Sequence, residues 1–356
     1  MADDSIPTVP RADELISKAF AKANRVEIYD RMVFYAQRKT ALAKLDSVSA
    51  TISTRLLKLV ERHPTIDRLD PWRRELLDLQ VGNDKVRKAL GGLQWCTEQA
   101  NEICRKGQSQ IRRSKSKDFI SQKVIETYGR VASVVRQVSP ALKVVERSRE
   151  LLLSLPDIDA QLPTAVVAGY ANVGKSALVG TLSTASPAVA SYPFTTQEIH
   201  LGHLSVGRRR YQVIDTPGLL DRPLAERNDV ERKAVLALTH LPTVIVYLID
   251  PTGTSGATLQ EQYHLLAAVI EDFPAPMVLV RSKSDLPRLP AEEEPPLPTA
   301  AGDLPVFEVS VQSGLGIGEL KEGLVAALQR LHVPSIFVPP PWEVAAAEPE
   351  VEPDPI

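Results

Sequence analysis

One octapeptide constrains this chain more than any other feature: Gly169-Tyr-Ala-Asn-Val-Gly-Lys-Ser176. It fits the pattern G-x-x-x-x-G-K-[ST], follows an apolar run at 165–168 that reads as a strand, and opens a helical stretch at 175–182. Its glycines let the backbone curl until consecutive N–H groups point at phosphate oxygens, and the helix N-terminus adds its positive dipole end. Lys175 is expected to reach the β- and γ-phosphates, and Ser176 to offer its hydroxyl to Mg²⁺. Gly169, Asn172, Val173, Gly174, Lys175, Ser176 and Ala177 are therefore the candidate phosphate-binding residues.

The rest of the C-terminal half obeys that motif. Short β-rich runs at 199–206, 211–214, 244–249, 277–280 and 306–309 alternate with helical stretches at 229–239, 258–272 and 318–331. Such alternation predicts a mainly parallel six-stranded sheet with helices on both faces. Residues 11–154 are different. Proline is sparse, and Ile52, Leu56, Leu59, Val60 and Val124, Tyr128, Val131, Val135 make apolar stripes at helical spacing. Breaks fall at His63-Pro64, Asp70-Pro71, Val81-Gly82-Asn83 and Ser139-Pro140. The reading is α + α/β: an N-terminal helical bundle of about five long helices over 1–160 and a P-loop domain over 161–333, joined through a short linker from Pro156 to Pro163. Residues 334–356, with seven prolines, five acids and no Lys or Arg, read as a disordered tail, and the Pro- and Glu-rich stretch 286–305 as a surface loop.

Four further motifs follow in order. Tyr192-Pro-Phe-Thr-Thr196 carries Thr196, a candidate ligand for Mg²⁺ and reporter of the γ-phosphate. Asp215-Thr-Pro-Gly218 ends a strand; Asp215 would hold Mg²⁺ and Gly218 would bring its N–H to the γ-phosphate. Metal binding is thus expected of Ser176, Thr196 and Asp215, and catalysis of Lys175, Thr196 and Gly218. Ser282-Lys-Ser-Asp285 follows another strand. The Asp285 carboxylate can accept from guanine N1–H and the 2-amino group, a donor pair adenine lacks, while the Lys283 stem packs over the purine. Ser310 and Val311 follow the last strand and would present an N–H to guanine O6.

These motifs resemble the Obg-like branch of the translation-factor-related P-loop GTPases. The run from Asp215 to Leu241, TPGLLDRPLAERNDVERKAVLALTHL after the aspartate, is similar to the nucleolar GTP-binding protein 1 family in an archaeal-type short form. IPTVPRADELISKAFAKA near the start and YDRM at 29–32 agree, so that the resemblance covers roughly 5–333. It implies a helical bundle followed by a P-loop GTPase domain, GTP/GDP and Mg²⁺ as ligands, and a switch in biogenesis of the large ribosomal subunit, with the subunit precursor, its rRNA and other assembly factors as partners. The long C-terminal extension of eukaryotic members is absent, and contacts made by it are not carried over. Three positions depart from the family: Ser282 stands where Asn is usual, which is expected to weaken the tie between base site and P-loop; Val311 replaces Ala; Ala171 replaces a frequent Pro.

Many GTPases place a glutamine just beyond DTPG. Here Leu219 and Leu220 follow, and neither side chain can orient water. Slow intrinsic hydrolysis is expected, and the resemblance to GTPases with a hydrophobic residue here implies activation by a ribosomal particle or by K⁺; Asn172 is either the K⁺ position or a loop-stabilising amide, and Arg222 or Arg227 either acts in cis or solvates a loop. The competing readings are an rRNA-binding scaffold whose nucleotide site barely turns over, and a tRNA- or membrane-associated GTPase.

The net charge of −2 conceals an asymmetry: residues 1–160 carry 29 Lys and Arg against 21 Asp and Glu, the remainder 13 against 23. Arg105, Lys106, Arg112, Arg113, Lys115 and Lys117 lie within thirteen residues and form a candidate RNA-phosphate patch or a solvated helix end. No aromatic interleaves them, so binding through charge and shape, without base stacking, is expected. Trp72 and Trp95 read as bundle packing, and Trp342 as a docking residue or an incidental aromatic of the tail. Cys96 and Cys104, about 12 Å apart along a helix, are too distant to bridge. With no apolar signal core and no long apolar run, a cytoplasmic protein without membrane or DNA partners is expected.

Overall fold

The computed structural model describes residues 6–192, 198–215, 220–223, 226–289 and 294–331. Thr196, Gly218, Leu219, Trp342 and the tail 334–356 lie outside the described residues. Six α-helices, rather than about five, precede the first strand: α1 (Ala12–Asn24), α2 (Val33–Arg62), α3 (Pro71–Gln80), α4 (Asn83–Arg113), α5 (Lys117–Gln137) and α6 (Ser139–Ser154). Every break at proline or glycine falls where the sequence puts it. Two further turns, between α1 and α2 and between α4 and α5, contain neither residue; Ser116 ends the second by capping the Phe119 N–H at 3.3 Å. At α3, Asp70 accepts from the Arg73 N–H at 2.8 Å with Pro71 at the first helical position.

The apolar stripes of α1, α2, α4, α5 and α6 meet in one core that includes Ile52, Leu56, Leu59, Leu93, Val131 and Val135. Gly107 on α4 allows α5 to come close, because a Cβ there would stand 2.6 Å from Thr127 Oγ1. Cys96 and Cys104 are buried free thiols in this core. Burial pushes Cys96 up to about 11 and Cys104 up to about 12. Trp95 does not join the packing: it is exposed, because the buried face of α4 runs through Leu93, Cys96 and Ala100.

Among the described residues the sheet has seven strands, one more than expected: β1 (Thr164–Gly169), β2 (Ala188–Ser191), β3 (Glu198–Val206), β4 (Arg209–Asp215), β5 (Thr243–Ile249), β6 (Met277–Arg281) and β7 (Val306–Glu308), in the order β2-β3-β4-β1-β5-β6-β7. The added strand, β2, is a short antiparallel edge; its small residues AVAS give no strong alternation to read. β3 pairs antiparallel with both β2 and β4, and the remaining neighbours are parallel. Alternate residues of the central strands face opposite ways. Val167, Val246 and Leu248 pack with α7 (Lys175–Leu182) and α10 (Ile317–Arg330), while Val166, Ile214 and Ile245 face the other side with α9 (Leu259–Asp272).

That second face does not end at the C-terminal half. Trp72, Leu76 and Leu77 of α3, Leu151 of α6 and Ile158 belong to the same apolar cluster. α3 also packs on α8 (Asp229–Leu236) and on the short 3₁₀ turn Ala237–His240. The segment after α6 is held as well. Gln212, fully buried, accepts from the Asp159 N–H at 2.8 Å and donates to its carbonyl at 2.7 Å. Arg73 donates to the Ile158 carbonyl at 3.1 Å.

Candidate functional site

The loop between β1 and α7 occupies the carboxyl end of the central parallel strand, where open α/β sheets bind ligands. Gly169 has φ +135°, and a Cβ there would meet the Leu248 carbonyl oxygen at 2.5 Å. Asn172 (φ 61°) and Gly174 (φ 104°) also take left-handed backbone, and Gly174 caps α7. This curl brings the Lys175 ammonium back over its own loop, donating to the carbonyls of Gly169 at 2.8 Å and Tyr170 at 2.6 Å. Burial holds the Lys175 pKa below the usual lysine range, against the opposing pull of Asp215 and Asp221.

Ser176 donates its hydroxyl to Oδ2 of Asp215, which is fully buried at the end of β4. His200 on β3 lies 3.2 Å from the same oxygen through Nδ1. The other oxygen, Oδ1, is buried without a hydrogen-bond partner among the described residues. A hydroxyl and a carboxylate with an unused buried oxygen suit a hard, oxygen-seeking cation, so these two residues fit Mg²⁺. Thr196 cannot be placed with them, since it lies outside the described residues.

The Ser282–Asp285 loop closes on the P-loop from the far side. The Ser282 hydroxyl donates to the Val173 carbonyl at 2.8 Å and lies 3.0 Å from that of Ile249. Serine at this position thus ties the base-site loop to the P-loop. Lys283, at φ 55°, donates to the Asn172 carbonyl at 3.1 Å, to Asp250 Oδ2 at 2.7 Å and to Thr254 Oγ1 at 2.7 Å. Burial alone would raise the Asp250 carboxyl; hydrogen bonds from Lys283, Thr252 and Thr254 outweigh it and hold the carboxyl below its ordinary value. Asp285 is exposed at the rim. Ser310 is buried; its N–H donates to the Leu315 carbonyl and its hydroxyl caps the Ser313 N–H. Its amide is therefore engaged, and the Val311 side chain packs on the apolar layer under α10.

Asp250 and His200 were not among the residues singled out from the sequence. Asp250 was findable, since it is an acid at the carboxyl end of a strand, β5, adjacent to the P-loop strand. No sequence signal marks His200, whose role depends on the antiparallel register that sets it opposite Asp215.

Leu220 is buried in the core, its carbonyl accepting from the Gly169 N–H at 3.2 Å. Arg227 is buried and paired with Asp221 at 3.3 Å, and Arg222 lies 3.5 Å from Glu231. The six cations of the basic cluster divide. Arg105 and Lys106 both meet Glu102, whereas Arg112, Arg113, Lys115 and Lys117 are exposed and make no ion pair among the described residues.

A P-loop on the central strand, a buried aspartate on the neighbouring strand and a base-site loop tied to both define a helical N-terminal region followed by a P-loop GTPase fold. The family model for the NOG1 N-terminal helical domain matches residues 4–159, and that for nucleolar GTP-binding protein 1 matches 229–285. An uncharacterised protein of Methanocaldococcus jannaschii is 34% identical, the match covering 79% of this chain and 80% of that protein. The chain belongs to the nucleolar GTP-binding protein 1 family. Nucleolar GTP-binding protein 1 of Encephalitozoon cuniculi is 30% identical over 81% of this chain and 55% of its own length; that of Arabidopsis thaliana is 27% identical over 79% and 42%. The chain thus spans about half the length of these eukaryotic relatives. A solved Plasmodium falciparum chain assigned to the same protein is 28% identical, covers 49% of this chain and 90% of its own, and has a TM-score of 0.43. No helix among the described residues is long and apolar enough to cross a membrane.

Proposed function

We propose that this chain binds GTP and GDP with Mg²⁺, hydrolyses GTP slowly, and acts as a switch in assembly of the large ribosomal subunit. The observation that carries the nucleotide reading is Lys175: a buried ammonium whose hydrogen-bond partners are two neutral carbonyls of its own loop. Such a cation gains most from an anion delivered at that loop, and the curl of Gly169–Gly174 is shaped to deliver phosphate oxygens to it. Ser176 and Asp215 would hold Mg²⁺, which when bound would offset charge on the phosphate oxygens. Asp285 would select guanine, and Lys283, pinned by Asp250, would cover one face of the base.

Hydrolysis in this reading is limited by water. The Leu220 side chain is packed in the core, and Arg227 is held by Asp221. Activation would come from a ribosomal particle or from K⁺ at Asn172. Loss of the γ-phosphate would release Thr196 and Gly218 and so change the surface the chain presents. Arg112, Arg113, Lys115 and Lys117 would supply phosphate contacts to rRNA. The family names its members for the nucleolus, which supports a ribosomal role; a cytoplasmic location and assembly-factor partners are part of the same proposal.

Single-turnover GTP hydrolysis with and without large-subunit particles and K⁺ tests it, together with co-sedimentation of the chain in GTP and in GDP. Stimulated turnover and nucleotide-dependent sedimentation are expected. Sedimentation indifferent to nucleotide, with no turnover under any condition, would leave an RNA-binding scaffold.

A further inference from the structure

The end of the bundle that carries the free cations also carries several exposed aromatic and aliphatic side chains. Gln37 of α2 donates to the Lys117 carbonyl at 3.1 Å and to Ser121 Oγ at 2.9 Å. Arg38 donates to the Ser114 carbonyl at 2.6 Å. These bonds seat the first turns of α2 against the α4–α5 turn, and the α1–α2 loop folds back on the same turns, the Ile28 N–H donating to Thr40 Oγ1 at 3.0 Å and Lys39 to Asp30 at 2.7 Å. On that end Tyr29 is 91% exposed, Val33 70%, Met32 60%, Tyr35 44% and Phe119 43%. A tyrosine left almost wholly in water stabilises no fold, and so many at one end form a patch rather than scattered surface residues.

We propose that the α1–α2 loop, the start of α2 and the α4–α5 turn form one site for unpaired RNA, with bases stacked on Tyr29, Tyr35 and Phe119 and phosphates on the neighbouring cations. The proposal rests on the basic patch contacting RNA and adds which kind of RNA it takes. The chemistry is complementary on both counts. Aromatic faces accept any splayed-out base, and exposed arginine and lysine track the backbone between bases. A duplex keeps its bases stacked inside a groove these side chains cannot enter. Tyr35 is pre-positioned: the Arg38 guanidinium lies 5.7 Å from its ring centre while bound to Ser114, so less side-chain freedom is lost on binding.

Charge decides between RNA and a protein partner. Arg25 and Arg31 join Arg112, Arg113, Lys115 and Lys117 at this end as exposed cations without ion pairs among the described residues. The acids there are Glu27, Asp30 and Asp118, and Asp30 is bound to Lys39 at 2.7 Å. Protein interfaces deplete charge, lysine above all, at their centre. The sequence separates Tyr29 and Tyr35 from the basic run by some eighty positions, so a linear reading finds only Phe119 beside it.

The test is fluorescence anisotropy of the full chain with labelled oligoadenylate, with a blunt RNA duplex of equal length, and with phosphatidylserine vesicles as a third probe. Tyr29→Ala combined with Tyr35→Ala is expected to weaken oligoadenylate binding roughly tenfold or more, from the worth of base–aromatic stacking. The salt slope and duplex binding should stay unchanged, and Tyr29→Phe with Tyr35→Phe should restore affinity. Wild-type affinity for oligoadenylate in the alanine variant overturns the proposal. So does vesicle binding that depends on the two tyrosines while oligoadenylate binding does not. A separate variant, with Arg112, Arg113, Lys115 and Lys117 each changed to Gln, examines the patch itself: an unchanged salt slope there removes the RNA reading as a whole, whereas a flattened slope beside indifferent tyrosines sinks the stacking site alone.

Discussion

The indole of Trp72, on α3 of the N-terminal bundle, donates its Nε1–H to the phenol oxygen of Tyr192 at 3.2 Å inside a shared apolar core. Tyr192 leads directly into the segment that carries Thr196, and α3 also packs on α8, which follows the Asp215–Gly218 motif. The bundle therefore packs on residues that flank both segments expected to respond to the γ-phosphate. Tyr192→Phe keeps the ring and deletes the acceptor, leaving a buried indole N–H unpaired; a loss of about 1–3 kcal/mol in denaturant melts is expected. In a background with both Trp95→Phe and Trp342→Phe, Trp72 emission is expected to differ between GDP and a non-hydrolysable GTP analogue.

Lys175→Ala removes the buried ammonium from the P-loop. Hydrogen bonds to charged groups contribute about 1.5–3 kcal/mol, so GTP affinity measured by calorimetry should fall roughly ten- to hundredfold. Folding stability should not fall, because the lysine pairs with no carboxylate at hydrogen-bond distance in the free chain.

Asp285 faces solvent at the base site, so substituting it should change ligand choice without unfolding the chain. Asp285→Asn exchanges an acceptor pair for one acceptor and one donor. Discrimination of GTP over ATP should drop by an order of magnitude or more, and xanthosine triphosphate, which presents a carbonyl where guanine has its 2-amino group, should gain. Competition binding reads both. Ser282→Ala should weaken all three nucleotides together, since it cuts the tie to the Val173 carbonyl rather than a base contact.

The basic run should split in a salt titration of RNA binding. Neutralising Arg112, Arg113, Lys115 and Lys117 should reduce the slope by roughly 0.7 for each lost contact to a single strand. Neutralising Arg105 and Lys106 should change it less, because Glu102 already engages both. Equal slopes for the two variants would contradict the division.

His63, at the end of α2, is buried, with Nδ1 donating to the Pro64 carbonyl at 2.9 Å and Nε2 accepting from Ser148 Oγ at 2.8 Å. Burial depresses its pKa below the ordinary 6.5. In the unfolded chain it takes up a proton first as pH falls, so stability is fully present above that value and declines as pH drops through it toward the folded value. Melting temperature should therefore fall on acidification from neutrality through this window, and His63→Gln should make that decline shallower.

What was readable depended on how local the physics is. The P-loop, the N-cap at Asp70, the breaks at proline and glycine and the span of α7 are decided by residues a few positions apart, and the structure reproduces them. The turn between α4 and α5 has no proline or glycine to announce it. β2 is made of small residues that pair only because β3 is there. His200 was invisible because its meaning comes from a partner on the next strand.

The chain alone determined that a phosphate loop sits between a strand and a helix behind a helical bundle, since backbone freedom, helix periodicity and capping are short-range properties. Tertiary structure decided the rest: that Trp72 reaches Tyr192, that Ser282 bonds to the Val173 carbonyl, and that Gln37 and Arg38 of α2 hold the α4–α5 turn. Those relations depend on packing between segments tens of residues apart, and one-dimensional order carries no measure of such distances.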